Sequence, residues 1–263
     1  MDHREAGEYW EQNAEAWTLL ARSGYDIYRD HLNTPAFFQM LPDVAGQKGL
    51  DIGCGEGHNT RLLASRGAHM TALDISPTFI EKAKEIDASG PAGIQYEIAS
   101  AVELPFGDNT FDFATGFMSF MDVPELEQVI SEAYRVLQPG GFLQFSITHP
   151  CFDTPHRKNI RGIDGKTYAV EVGDYFRKTA GEVDEWIFKS APEPLRSTLP
   201  KFQTPRFTRT LSEWLNLLVD SGFAIERLNE PRPDDETVAR VPKLQDSQVV
   251  AYFLHIRCRK PSY

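Results

Sequence analysis

The stretch "LDIGCGEGHNT", Leu50–Thr60, sets Gly53, Gly55 and Gly57 at alternate positions between an apolar run and the start of a helix. A strand that enters a glycine turn and then a helix N-terminus brings backbone N–H groups close to a ligand, because glycine permits unusual dihedrals and close approach. Such a turn can cradle a phosphate, present Cys54 as a reaction centre, or hold a ligand of another kind. The GxGxG spacing differs from the dinucleotide GxGxxG, and the Lys and Ser/Thr of a P-loop are missing, which argues against a nucleoside triphosphate. Asp51 precedes the turn, where a carboxylate repels pyrophosphate but accepts hydrogen bonds from a cationic amino acid portion. Asp74, closing the next apolar stretch in "LDIS", can accept from both hydroxyls of a ribose. Together they suit a cationic nucleoside. Cys54 has glycines and acids for neighbours and no basic group to lower its pKa, so it reads as a small filler beside the ligand.

Outward from the turn, strands and helices alternate. "KGLDIGC" is a strand, "NTRLLASRG" a helix ending at Gly67, and "HMTALDIS" a second strand. "PTFIEKAKEIDASG" is a helix with Pro77 in its first turn and Gly90 after its end. "IQYEIAS" and "TFDFATGFMSF" are further strands, "PELEQVISEAYRVLQPGG" a helix with its stop, and "FLQFSIT" a fifth strand. Short connections between alternating elements imply parallel strands with right-handed crossovers, hence an open doubly wound α/β sheet with its ligand beyond the strand carboxyl ends.

The rhythm breaks between His149 and about Pro205. There "KTYAVEVGDYF" and "EVDEWIFKS" are strand-like and are expected to pair as a hairpin, in an insertion whose aromatic content favours an ordered lid. A helix "TLSEWLNLLVDSG", with Ser212 as cap candidate, precedes two last strands, "FAIERLNEP" and "QVVAYFLHIRCRK". These suit an antiparallel pair at the sheet edge. The first forty residues read as helices, with Tyr9, Trp10, Trp17 and Leu20 at helical spacing and Asn33 or Thr34 as the cap of a second helix. The expected organisation is therefore one domain, 1–263, with a helical cap at 1–44, a ligand-binding core at 45–148, a substrate lid at 149–205 and a C-terminal helix and strand pair at 206–263.

Composition narrows the function. A formal net charge of −11 disfavours a surface that binds nucleic acid by counterion release. No apolar run reaches eighteen residues, and "MDHREAGEYW" does not resemble a secretory signal, so no membrane insertion and a cytoplasmic location are expected. The three cysteines and seven histidines show no zinc-ligand spacing, so no metal is expected.

The motifs "LDIGCGEG", "LDIS", "ELPFGDNTFDFATG" and "ISEAYRVLQPGG", in this order and spacing, resemble the class I S-adenosylmethionine-dependent methyltransferases, and among them the methyltransferase type 11 or UbiE-like group. The resemblance covers roughly residues 45 to 258. It implies a Rossmann-like seven-stranded sheet of order 3-2-1-4-5-7-6 with strand 7 antiparallel, and S-adenosylmethionine lying across the ends of strands 1 and 2. Carried over by position, Asp51, Gly53 and Gly55 would line the methionine portion, with Cys54 a small filler beside the cofactor, Asp74 would hold the ribose, and Ile75 would lie against the adenine. Ser100 stands where many relatives have an Asp toward the adenine amino group, with Ala101 and Val102 beside it. Gly116 and Phe117 match positions near the methyl-transfer end. Arg29, in the N-terminal segment with Tyr25 and Tyr28, could fork to the methionine carboxylate.

A sulfonium methyl is already activated, so such an enzyme mainly aligns its acceptor, and a base is needed only if the acceptor sheds a proton. His149, after the fifth strand, is the candidate base, with His156 and Asp153 behind it. Phe120, Tyr168, Tyr175, Phe176 and Trp186 could furnish an apolar pocket, so the expected acceptor is a small aromatic or apolar molecule. Rival readings are a non-catalytic S-adenosylmethionine-binding protein, a nucleotide-dependent oxidoreductase, and an RNA or protein methyltransferase, the last without an NPPY-like tetrapeptide. Oligomeric state is not legible.

Overall fold

A computed structural model describes residues 1–88 and 93–262; Gly90, expected beyond the first crossover helix, lies outside them. The chain opens with α1 (His3–Arg22), a π-helical segment Arg29–Asn33 and α2 (Thr34–Met40). The core then runs β1 (Lys48–Ile52), α3 (His58–Ala64), β2 (His69–Asp74), α4 (Pro77–Asp87), β3 (Gln95–Ile98), β4 (Phe111–Phe117), α5 (Leu126–Val136) and β5 (Leu137–Thr148). An insertion follows, of β6 (His156–Arg161), β7 (Thr167–Gly173), β8 (Glu182–Trp186), α6 (Glu193–Arg196) and β9 (Phe202–Arg206). The chain closes with α7 (Leu211–Asp220), β10 (Ala224–Asn229), α8 (Asp235–Arg240) and β11 (Phe253–Arg259).

The main sheet has the order β10-β11-β5-β4-β1-β2-β3. Strands β1 to β5 are parallel neighbours and β11 is antiparallel to both β5 and β10. Counting only this sheet's strands, the order is 3-2-1-4-5-7-6 with the seventh reversed, as the resemblance implies. The central strands read as continuous apolar runs because helices cover both faces. Leu50, Ile52, Leu73, Ala114, Phe145 and Ile147 are sealed on one side by Val129, Ile130 and Ala133 of α5 and by Trp214 and Leu218 of α7. Phe113 and Phe142 stack at 5.4 Å in a second cluster with Phe37 and Phe38 of α2.

Three local expectations are corrected. Thr210, not Ser212, caps α7: its hydroxyl accepts from the Glu213 amide while Glu213 reaches back, a capping box. Asn33 makes no cap hydrogen bond, because the helix before it continues in α conformation. Its Oδ1 instead accepts from Nε2 of buried His255 at 2.7 Å, whose Nδ1 faces the Asn229 amide at 3.3 Å. The two insertion segments do not pair with each other. "KTYAVEVGDYF" supplies β7, which pairs with β6, and "EVDEWIFKS" supplies β8, which pairs with β9.

The second of these hairpins is fastened to α1. Trp17 lies 4.8 to 5.5 Å from Trp186, Phe188 and Phe202, ring centre to ring centre, and Ala16, Leu20 and Ala21 complete the cluster. The Asn13 amide donates to the Gln203 carbonyl at 2.8 Å and its oxygen accepts from the Gln203 N–H at 2.9 Å, extending the hairpin edge onto the helix. The N-terminal helix and the insertion thus cover the carboxyl ends of β1, β2 and β4 together.

Candidate cofactor and acceptor site

The glycine turn is stitched to β2. The N–H groups of Gly53 and Cys54 both donate to the Leu73 carbonyl at 2.9 Å, and the Gly55 N–H donates to Oδ2 of Asp74 at 2.8 Å. The donor that a phosphate would need is therefore already given to a carboxylate, which disposes of the phosphate reading. Gly53 has φ +73°, and a Cβ there would lie 2.4 Å from Cβ of Ser119, whose hydroxyl donates to the Ile52 carbonyl. Gly55 has φ +54°, and a Cβ there would meet nothing within 4 Å. That open side faces a cavity of about 1050 Å³.

Asp74 sits on the cavity wall with Oδ1 accepting from the Ser76 N–H at 2.9 Å. Burial pushes its pKa up to about 6, against the pull of the Ser76 and Gly55 amides, and the charge of Asp51 adds to the rise. Burial, with the charges of Asp74 and Asp51 next, also holds the Cys54 thiol well above its ordinary range, so Cys54 stays a neutral wall atom. Among the other expected residues, Gly53, Ile75, Ser100, Ala101, Phe117 and Arg29 line the same cavity. Ile75 packs against Gly7 of α1, where a Cβ would stand 2.8 Å from its Cδ1, so the first helix closes this end.

Other positions fall elsewhere. Asp51 is 2% exposed behind the turn, where its two oxygens accept from Thr60 at 2.5 Å and Thr115 at 2.8 Å. It therefore ties β1 to β4 and to α3. Val102 faces the core beside α5 rather than the cavity. Gly116 makes room for the Phe120 ring, 2.6 Å from where its Cβ would stand, and is not a wall residue. Arg29 reaches the wall, yet its Nε donates to Asp30 at 2.7 Å, Nη2 donates to the Ala21 carbonyl at 3.1 Å, and Nη1 lies 3.8 Å from Glu56.

His149 is the main correction. It is 2% exposed and off the cavity wall, although its neighbours Thr148 and Pro150 are on it. Its Nδ1 accepts from the Cys151 N–H at 3.2 Å, so the proton resides on Nε2, which is 2.7 Å from Glu230. Both ring nitrogens are engaged. His156 lies outside and pairs with Glu171 at 2.7 Å, and the rings of Tyr168 and Phe176 are exposed to solvent. Phe120, Tyr175 and Trp186 do line the cavity, as does Asp153.

Two residues that sequence reasoning passed over shape the site. Glu56, in "CGEG", is buried and gathers Arg61 at 2.8 Å, Arg22 at 3.1 Å and Arg29 at 3.8 Å, tying α1 to the glycine turn. Asp122 follows β4 in "GFMSFMD" and faces the cavity. No side-chain hydrogen bond holds it among the described residues, and burial lifts its pKa well above the carboxylate range against the pull of Arg206. The acid inside the glycine motif, and an acid a few residues past the fourth strand, were the available signals.

With this geometry, the fold and the acidic, glycine-lined end of the cavity are similar to those of the class I S-adenosylmethionine-dependent methyltransferases. Residues 50–145 match the model of the methyltransferase type 11 family, described as Methyltransferase domain. The sterol methyltransferase-like 1 protein of Botryococcus braunii is 32% identical over 49% of this chain and 34% of its own length. The O-methyltransferase cnsE of Penicillium expansum is 31% identical over 56% and 53%. The chain thus spans between a third and about half of these curated relatives. A crystal structure of an S-adenosylmethionine-dependent methyltransferase from Mesorhizobium loti superposes with a TM-score of 0.67 at 28% identity, covering 86% of this chain and 96% of that one. The residues present fit S-adenosylmethionine: an open glycine cradle at Gly55 beside a carboxylate whose oxygens retain free lone pairs. No helix among the described residues is long and apolar enough to cross a membrane.

Proposed function

We propose that this protein transfers a methyl group to a small molecule held beneath the insertion. The observation that carries the reading is the continuity of the cavity. Gly55 and Asp74 at one end share it with Asp153, Tyr175, Trp186 and Arg206 of the insertion at the other. A volume of about 1050 Å³ stands at the upper limit of the ~300–1,000 Å³ usual for one ligand site, which suits a cofactor and an acceptor side by side. The enclosure by α1 and the β8–β9 hairpin favours a small acceptor over a folded macromolecule.

S-adenosylmethionine supplies an electrophilic methyl on a sulfonium centre. The chain's part is to hold that group, align the acceptor and exclude water. Gly53, Cys54, Gly55 and Arg29 would hold the amino acid portion, Asp74 the ribose hydroxyls, and Ile75, Ser100 and Ala101 the base. Asp51 and Asp74 make this end negative, which favours a cationic ligand. Where the acceptor sheds a proton, Asp122 takes the place first expected of His149: it faces the cavity just beyond β4 and its carboxylate is unpartnered. The insertion, with α1, serves as the cover over both ligands.

Incubation with methyl-labelled S-adenosylmethionine and a library of small acceptors tests the reading. Label transferred to a small molecule, with S-adenosylhomocysteine formed in equal amount, is the expected result. Cofactor binding without transfer to any acceptor would instead support a binding protein, and selective binding of NAD would support an oxidoreductase.

A further inference from the structure

The two ends of the cavity differ in their unpaired charge. At the cofactor end Asp74 stands on the wall without a cationic partner among the described residues, whereas Glu56 is shared by Arg22, Arg29 and Arg61 and Asp51 is buried behind the turn. At the insertion end most acids already have partners. Asp153 and Asp184 both pair with Arg206, at 3.2 and 3.0 Å. Asp246 accepts from the Tyr28 hydroxyl at 3.0 Å and the Asn159 amide at 3.1 Å.

The two arginines of β6 do not have such partners among the described residues. Alternate residues of a strand share a face, and Arg157, Asn159 and Arg161 all line the cavity. Neither arginine has a carboxylate within ion-pair distance among the described residues. Arg161 is tied only to the Gly165 carbonyl, at 3.0 Å. Arg157 rests over the ring of Tyr252, 5.6 Å from its centre, and its Nε–H is covered without an acceptor. In a chain with 38 acidic and 27 basic side chains, β6 thus sets two arginines without a carboxylate partner on one cavity wall, whereas Arg209, also on the wall, is held by the Val123 and Pro124 carbonyls. A guanidinium positioned over an aromatic ring and already partly covered loses less side-chain freedom on binding an oxyanion.

We propose that β6 is the acceptor-recognition strand and that Arg157, supported by Arg161, binds an anionic group, a carboxylate or a phosphate, on the methyl acceptor. This rests on the reading of the cavity as a methyltransferase site and adds an acidic group to the small acceptor proposed for it. Arg157 acts on binding and orientation, and Asp122, which lines the same cavity, is left to meet the protic group that is methylated.

Binding probes test this without a known acceptor. The full chain saturated with S-adenosylhomocysteine is titrated with benzoate, phenyl phosphate and benzamide, monitored by thermal denaturation and calorimetry, for wild type, Arg157→Gln and Arg157→Lys. At least one of the two anions is expected to bind tenfold or more tightly than benzamide. That preference should vanish in Arg157→Gln and return in part in Arg157→Lys, with S-adenosylhomocysteine affinity unchanged throughout. Which anion binds tells a carboxylate-bearing from a phosphate-bearing acceptor. Equal binding of all three probes, binding of none, or an anion preference that survives Arg157→Gln overturns the proposal. Failure of S-adenosylhomocysteine itself to bind would strike at the methyltransferase reading instead. Once an acceptor is in hand, Arg157→Gln should raise its KM tenfold or more with a much smaller change in kcat.

Discussion

Gly53 and Gly55 have similar backbone conformations but different surroundings, so alanine at each separates strain from ligand exclusion. Both have positive φ, +73° and +54°, and a non-glycine residue there costs about 1–2 kcal/mol. At Gly53 the added methyl lies 2.4 Å from Cβ of Ser119, so Ser119 and its hydrogen bond to Ile52 must move, adding roughly 1–3 kcal/mol of overpacking. At Gly55 the methyl meets no protein atom within 4 Å and projects into the cavity. Gly53→Ala should therefore lower stability by ~2–5 kcal/mol, and Gly55→Ala by only ~1–2 kcal/mol, or a few degrees in Tm for a protein of this size. Binding should show the reverse emphasis. Gly55→Ala should weaken S-adenosylhomocysteine tenfold or more, about 1.4 kcal/mol, because its methyl occupies the space where the cofactor approaches the backbone. Thermal denaturation and isothermal titration on the two variants make the comparison. A Gly55→Ala protein that binds S-adenosylhomocysteine as wild type does would refute the assignment of that open space to the cofactor.

Further outcomes follow from the same geometry. Asp74, with its pKa raised to about 6, is protonated in the free protein below that pH and then lacks the charge that favours a cationic ligand, so cofactor Kd should rise up to tenfold per unit below pH 6 and level off above. The sign for stability is opposite: a folded pKa above the ordinary 3.8 favours folding below pH 3.8, and that contribution is lost as pH rises through about 6. Calorimetric titrations from pH 5 to 7 should show the slope in wild type and not in Asp74→Asn. His149→Ala should lose ~1–3 kcal/mol of stability through its broken contacts to Glu230 and Cys151 while turnover stays within about twofold, as measured by denaturant melts and single-acceptor kinetics. Trp17→Ala, which empties the aromatic contact between α1 and the β8–β9 hairpin, should cost ~3–5 kcal/mol or somewhat less for this half-buried ring and raise proteolytic cleavage within 174–206.

What the sequence revealed was what is local. The glycine turn, the apolar runs of β1, β2, β4 and β5, and Pro77 at the start of α4 all act within a few residues; the parallel doubly wound sheet follows once the helices must cross over, whereas the strand order was implied only by the family resemblance. The insertion was opaque because strand pairing there is non-local: "HRKNIR" has too many charges to look like a strand, yet it is the partner of "TYAVEVG". His149 was misplaced by a single step of strand alternation. Thr148 and Pro150 turn to the cavity, and the residue between them turns away. Asp51 shows the same limit, since its position in the motif does not reveal that Thr60 and Thr115 take both its oxygens. Conversely, Asp122 and the arginines of β6 gain meaning only when the fold shows which neighbours are already paired.

The central claim is that the glycine turn and Asp74 hold S-adenosylmethionine. Isothermal titration of S-adenosylhomocysteine into wild type and Asp74→Ala tests it most directly. One site per chain is expected in wild type, with at least tenfold weaker binding in the variant and no binding of NAD to either. Equal affinity in both proteins, or binding of NAD in place of S-adenosylhomocysteine, would contradict it.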